Sequence, residues 1–324
     1  MELQEIINIK SKDKVNSTIV LSTYLGNRCK YPMDVSATLY VLYDALNHYL
    51  SFDFGIPCDI VLVNHDVTTL YNFDKIISEE TRKLIYKGKE LFSEFEGKEL
   101  FNGGTIKLLN RDWNNGCGMA MASFSYAFNQ FRDKYEYWFF NEDDVKIMKK
   151  GYFKELIDIL NIDDKIALAS SWRDSPLGVS STFYLDKMYN KYGKLLGTYD
   201  ELSKESQIKS IEKQEYFSWD DGDMGSKRRI EGSDGQNGWN KFFNNIGYRI
   251  EKNEDEFHHN CVLYPRLSHV LNKHQTPRII ISEEDELIII RSSISKEIIN
   301  IVPIALRSML ECHVEREKID KWIK

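Results

Sequence analysis

The chain has 324 residues, 42% of them hydrophobic and 29% charged, with a formal charge of −7. That is enough for one large core or a core with an appendage, and the negative balance excludes the broad basic stripe of a nucleic-acid surface. Five scattered cysteines (Cys29, Cys58, Cys117, Cys261 and Cys312) without a Cys-x-x-Cys pair point to a reducing compartment and no structural zinc.

The start of the chain lacks an apolar secretory segment, and no apolar run approaches the roughly 20 residues that span a bilayer. The expectation is a cytoplasmic protein, free to dock peripherally on a membrane. Thr18–Tyr24 is β-branched and apolar and breaks at Gly26-Asn27, which predicts a buried strand and a loop. Met33–Leu50 carries Val35, Leu39, Leu42, Leu46 and Tyr49 on one helical face. Asp59–Val63 reads as a second buried strand, ending in Asn64-His65-Asp66. Ser78–Leu100 is a charged helical stretch, and Gly103-Gly104 precedes a third strand, Thr105–Leu109.

A loop of turn formers, Arg111 to Gly118, leads into a helix over Met119–Phe131. The aromatic strand Tyr135–Phe140 follows and runs onto Glu142, Asp143 and Asp144. Gly151–Leu160 reads as a helix and Lys165–Ser171 as a strand. Gly193–Ser218 loses apolar periodicity and reads as a surface excursion, and Tyr216–Asp234 as an acidic, glycine-containing segment. Gly238–Asn245 predicts a helix and Tyr248–Glu251 a strand. Beyond Pro265, two short strands (Arg278–Ile281, Leu287–Arg291) and a helix near Ser295–Cys312 form an appendage: a lid, a contact in a homo-oligomer, or an acceptor-side element. The alternation predicts an α/β fold, with ligands outside the carboxyl ends of the strands.

Glu142-Asp143-Asp144 is the organising stretch. Carboxylates are not buried ionised without a partner, so a buried strand ending on three acids must meet a cleft. Two or three carboxylates delivered to one point suit Mg²⁺ or Mn²⁺, which could grip a diphosphate. The same acids would also serve a turn before a helix. No Walker loop, Gly-x-Gly-x-x-Gly turn, Gly-x-Ser-x-Gly elbow or His-Glu-x-x-His helix is present.

Over Thr18–His259 this order of landmarks resembles the GT-A glycosyltransferases, family 2 and similar acidic-motif (DXD-type) enzymes. The resemblance implies a Rossmann-like, mixed but mainly parallel sheet flanked by helices. A catalytic domain would span residues 1–264, with a nucleotide-sugar half near 18–145 and an acceptor half near 146–264, and the appendage would cover 265–324. It implies a sugar passing from a nucleoside-diphosphate donor, uridine diphosphate first, to a hydroxyl on a glycan, lipid-linked glycan or protein, with inversion. Such chemistry serves polysaccharide biosynthesis.

The donor would be held by Ser22, Thr23 and Tyr24 at the end of the first strand, Asp66 at the base, Arg111 at a phosphate, Asn114, Asn115 and Gly116 near the sugar, and Asp143. Metal ligands would come from Glu142, Asp143 and Asp144, with His258 or His259 completing the shell. Asp144 ranks as the strongest ligand, Asp143 as a contributor by direct contact or through water, and Glu142 as the weakest; the common Asp-x-Asp spelling is Glu-x-Asp here. The late acidic pair of the family is also missing in its usual form. The general base falls to Asp234, with Asp220 and Asp221 as substitutes, although Asp234 suits an N-cap equally well. Trp219 and Trp239 would offer an acceptor platform or serve as core. The alternatives are a non-catalytic sugar-nucleotide or glycan binder and a nucleotidyltransferase.

Overall fold

The computed structural model describes residues 15–23, 42–43, 45–69, 72–77, 79–112, 119–143, 145–147, 149–170, 178–195, 235–252 and 261–263. The architecture is α/β. A seven-stranded sheet has the order β3-β2-β1-β4-β7-β6-β8, and β5 pairs with β9 in a separate two-stranded sheet. Here β1 is Ser17–Thr23, β2 Asp59–Asp66, β3 Ile106–Asp112, β4 Tyr137–Glu142 and β5 Val145–Ile147. Next come β6 (Ile166–Ser170), β7 (Gly178–Ser181), β8 (Arg249–Lys252) and β9 (Cys261–Leu263). Strands β3, β2, β1 and β4 are mutually parallel, β7 is antiparallel to both its neighbours, and β6 and β8 run parallel.

The helices are α1 (residues 45–50), α2 (Phe73–Ile76), α3 (Glu79–Ser93), α4 (Met119–Phe131), α5 (Tyr152–Leu160), α6 (Thr182–Tyr192) and α7 (Gly235–Asn245). They cover both faces of the sheet, which is why β1 and β2 are buried along their whole lengths and read as continuous apolar runs. Alternation along β4 divides its side chains between the faces. Phe139 packs on Tyr152 and Phe153 at the start of α5. Phe140 and Trp138 pack on Phe124 and Phe128 of α4, and Phe140 also meets Trp239 of α7. Trp239 is fully buried, so it belongs to the core and is not an acceptor platform. None of the described helices is long and apolar enough to cross a membrane.

Helix α4 has the bounds its sequence predicts. Other elements differ in instructive ways. Strands β2 and β3 continue through Asp66 and Asp112, so Arg111 lies in a strand and not in a loop. Strands β5, β7 and β9 and helix α6 carried no strong periodicity; tertiary pairing forms them. Trp138 Nε1 donates to Thr182 Oγ1 (2.8 Å), whose hydroxyl donates to the Tyr135 carbonyl (2.6 Å), tying the start of α6 to the start of β4. The stretch after α6 does not leave the body at once: Leu195 is buried and its N–H donates to Ser125 Oγ (3.0 Å). The rest of the expected excursion and the whole appendage from 265 to 324 lie outside the described residues. Gly104 before β3 is required as glycine: its φ is +94°, and a Cβ there would stand 2.1 Å from the Cys58 carbonyl oxygen.

At the amino ends of β2 and β3 a charge is buried in full partnership. The Asp59 carboxylate accepts hydrogen bonds from Lys107 Nζ, Lys134 Nζ (2.7 Å), Tyr135 Oη (2.5 Å) and the Thr105 N–H (2.8 Å). Burial pushes the Asp59 carboxyl up, but these donors outweigh it and hold it at about 2, below the ordinary 3.8. A carboxyl whose folded pKa is depressed contributes stability above its unfolded pKa and loses it as pH falls through the folded one. Asp59→Asn should therefore cost about 2–3 kcal/mol in urea denaturation at pH 7. The gap between variant and wild type should close as pH falls from about 4 toward 2. A pH-independent gap would refute this account.

Candidate functional site at the carboxyl edge of the sheet

From β1 the chain builds β2 and then β3 outward on one side, and it returns to lay β4 on the other side of β1. Connections leave from opposite faces at such a reversal, so a crevice opens between the carboxyl ends of β1 and β4. Open α/β sheets take ligands there. Register sets which residues meet at that point: Ser22 lies opposite Glu142 in the β1–β4 ladder, and Thr23 opposite Asn64 in the β1–β2 ladder.

The crevice is closed by a reciprocal contact. The Asp143 N–H donates to the Ser22 carbonyl (3.1 Å), which extends the ladder by one residue. Thr23 Oγ1 then donates to Asp143 Oδ2 (2.8 Å). Asp143 is only 3% exposed, and a carboxylate so buried needs such donors. Strand alternation carries Thr23 and Asp143 to the face of Phe139, where α5 packs, and Glu142 to the face of Phe140, where α4 packs. Glu142 and Asp143 thus leave β4 on opposite sides, and the strand does not deliver all its acids to one point.

On the Thr23 face, Asn64 Nδ2 donates to Asn110 Oδ1 (3.3 Å), bridging β2 to β3. Two residues on, Asp66 is 5% exposed and its carboxylate accepts three hydrogen bonds. Its Oδ1 accepts from the Thr68 N–H (3.1 Å) and the Thr68 hydroxyl (2.6 Å), an Asx turn that ends β2. Its Oδ2 accepts from Lys89 Nζ of α3 (2.7 Å), and Lys89 also donates to Thr68 Oγ1 (3.1 Å). On the opposite face His65 and Arg111 are register partners, 3% and 1% exposed. A planar cation so deeply buried at the carboxyl edge suits an anion close by.

Sequence reasoning placed Ser22, Thr23, Asp66, Arg111, Glu142 and Asp143 at this edge, and the structure gathers them on four adjacent strands. Tyr24, Asn114, Asn115, Gly116, Asp144, Asp220, Asp221, Asp234, His258 and His259 lie outside the described residues. Reading residue by residue passed over Thr68, Lys89, Asn64 and Asn110. The Asp-x-Thr spelling of the turn was a usable signal for Thr68. Lys89, one cation on a charged helix, offered none. Among the described residues no group of three or more His, Cys, Asp or Glu converges to hold a metal. The donors at the crevice are carboxylate oxygens, the chemistry a hard divalent cation prefers.

No protein-family model matches the chain, and no curated protein matches it at a significant level.

If the Thr23 hydroxyl compensates Asp143, Thr23→Val should destabilise the protein by roughly 1–3 kcal/mol in urea denaturation, because it removes a hydrogen-bond donor from a buried carboxylate. Thr23→Ser should recover most of that loss. Equal stability of wild type and the valine variant would remove the contact from the account.

Proposed function

We propose that the chain is a metal-dependent glycosyltransferase of GT-A type. It would move a sugar from a nucleoside diphosphate, uridine diphosphate first, to a hydroxyl on a glycan, lipid-linked glycan or protein, with inversion. One observation carries the reading: the Thr23–Asp143 contact at the β1/β4 switch point, with Asp143 opening the acidic pair Asp143-Asp144 at the end of β4. The order of strands and landmarks along the chain supports it. So does the spacing across the edge. From Asp143, Asp66 lies two strands aside and two residues further up, a span on the order of 12 Å. An extended nucleotide covers a comparable distance from base to second phosphate.

Asp143 with Asp144, and His258 or His259, would hold Mn²⁺ or Mg²⁺. Bound there, such an ion neutralises charge developing on the departing diphosphate. The remaining roles belong to the protein. Ser22, Thr23 and Tyr24 border the nucleoside, and Thr23 also keeps Asp143 in one orientation. Asp66 reads the base, Arg111 answers phosphate charge from beneath the edge, and Asn114, Asn115 and Gly116 approach the sugar. Asp234, or Asp220 or Asp221 in its place, takes the proton of the acceptor hydroxyl as that oxygen attacks the anomeric carbon. The bond from that carbon to the diphosphate oxygen breaks on the opposite face, and its electron pair leaves with the diphosphate.

The test is thermal stability of the full chain against nucleoside diphosphates and nucleotide sugars, each with and without Mn²⁺. A ligand at 100 times its Kd stabilises by about 2.7 kcal/mol, enough to raise Tm measurably. One nucleotide should shift Tm only with metal present, and the shift should vanish in the Asp143→Ala/Asp144→Ala double variant while the fold persists. No shift from any nucleotide with the protein folded would overturn the reading. A metal-dependent shift without donor turnover would favour a non-catalytic sugar-nucleotide binder.

A further inference from the structure

The Asp66–Thr68–Lys89 cluster holds more than a strand-end turn requires. A carboxylate offers about four acceptor positions, and an ammonium offers three donors. Among the described residues Asp66 accepts three hydrogen bonds: two at Oδ1 from Thr68 and one at Oδ2 from Lys89. Lys89 donates two, to Asp66 Oδ2 and to Thr68 Oγ1. One acceptor position on Asp66 Oδ2 and one donor on Lys89 Nζ are left side by side. The ammonium that contributes the donor is 30% exposed, whereas the carboxylate is nearly closed off. Thr68 and Lys89 therefore hold the carboxylate at one angle and leave an approach from the Lys89 side.

We infer that Asp66 and Lys89 together form a base-reading pair, with Lys89 as a specificity-determining residue; this rests on the nucleotide-dependent reading above. An acceptor beside a donor complements a ring N–H beside a carbonyl. Uracil and guanine present that edge. Cytosine presents a ring acceptor beside an amine, and so does adenine, so each would set acceptor against Asp66 and donor against Lys89. The preference needs both groups. Asp66 alone would select for the ring N–H, while Lys89 adds the carbonyl and penalises the amine. The cluster lies on the same face of the sheet as Thr23 and Asp143, with Asp66 two residues beyond Asn64, the register partner of Thr23. A base held here would lie on the face of the sheet that carries Thr23 and Asp143.

The experiment is titration calorimetry of the full chain with Mn²⁺ against UDP, GDP, CDP and ADP, in wild type, Lys89→Met, Lys89→Arg and Asp66→Asn. Wild type should bind UDP or GDP at least about tenfold more tightly than CDP and ADP, and the tighter of the two names the base. Lys89→Met should erase most of that ratio, and Lys89→Arg, which keeps a donor, should restore it. Asp66→Asn, which can donate to a ring nitrogen, should move the preference toward CDP and provides a second arm should Lys89→Met not fold. Equal binding of UDP, GDP and CDP by wild type would overturn the pair while leaving a nucleotide site standing. A Lys89→Met protein with the wild-type preference would do the same. No binding of any nucleotide would overturn the functional reading and this inference together.

Discussion

A carboxylate at the end of a buried strand must be compensated, and the way Asp143 is compensated organises the rest of the molecule. Its partner is the hydroxyl of Thr23, on the neighbouring strand and 120 positions earlier in the chain. That contact exists only because β4 returns to lie beside β1, which in turn needs both sheet faces covered. The aromatic stack of Phe124, Phe128, Trp138, Phe140 and Trp239 fills one side, and Phe139 with Tyr152 and Phe153 fills the other. The site is thus a consequence of packing on two faces, expressed at one edge.

The two edges of the sheet treat buried charge differently. At the amino edge Asp59 collects two ammonium groups, a phenol and a backbone N–H, so its charge is heavily satisfied and its carboxyl is held down at about 2. Such an arrangement stabilises but has little left to offer a ligand. At the carboxyl edge the Asp66 side chain accepts three hydrogen bonds, one of them from Lys89, and Arg111 is buried on the other face of the sheet. The reversal of strand order between β1 and β4 is the physical basis for proposing that this edge binds a ligand. The amino edge is given stability alone.

Alternation along β4 also refines what an acidic run means. Three consecutive acids look equivalent on paper, yet a strand sends neighbours to opposite faces. Glu142 accompanies Phe140 toward α4 and Asp143 accompanies Phe139 toward α5. This is why the proposed metal set passes through Asp143 and Asp144, with Glu142 apart.

Sequence alone determined the features that depend on local composition. Continuous apolar, β-branched runs over Thr18–Tyr24 and Asp59–Val63 read as buried strands, and Met119–Phe131, after a loop of turn formers, reads as a helix. The acidic run after an aromatic strand located the edge where charge would gather. Tertiary structure decided everything that depends on partners distant along the chain. Strands β5 and β7 are too short to announce themselves and form because a neighbour supplies their hydrogen bonds. Arg111 looked like a loop residue because polar residues at the end of a parallel strand have the composition of a loop. Lys89 joined the candidate site only because the fold brings its ammonium, from α3, to Asp66 at the end of β2. Hydrophobic periodicity encodes which face is buried; it carries no record of which charge will stand beside which, since that depends on the path of the chain between them.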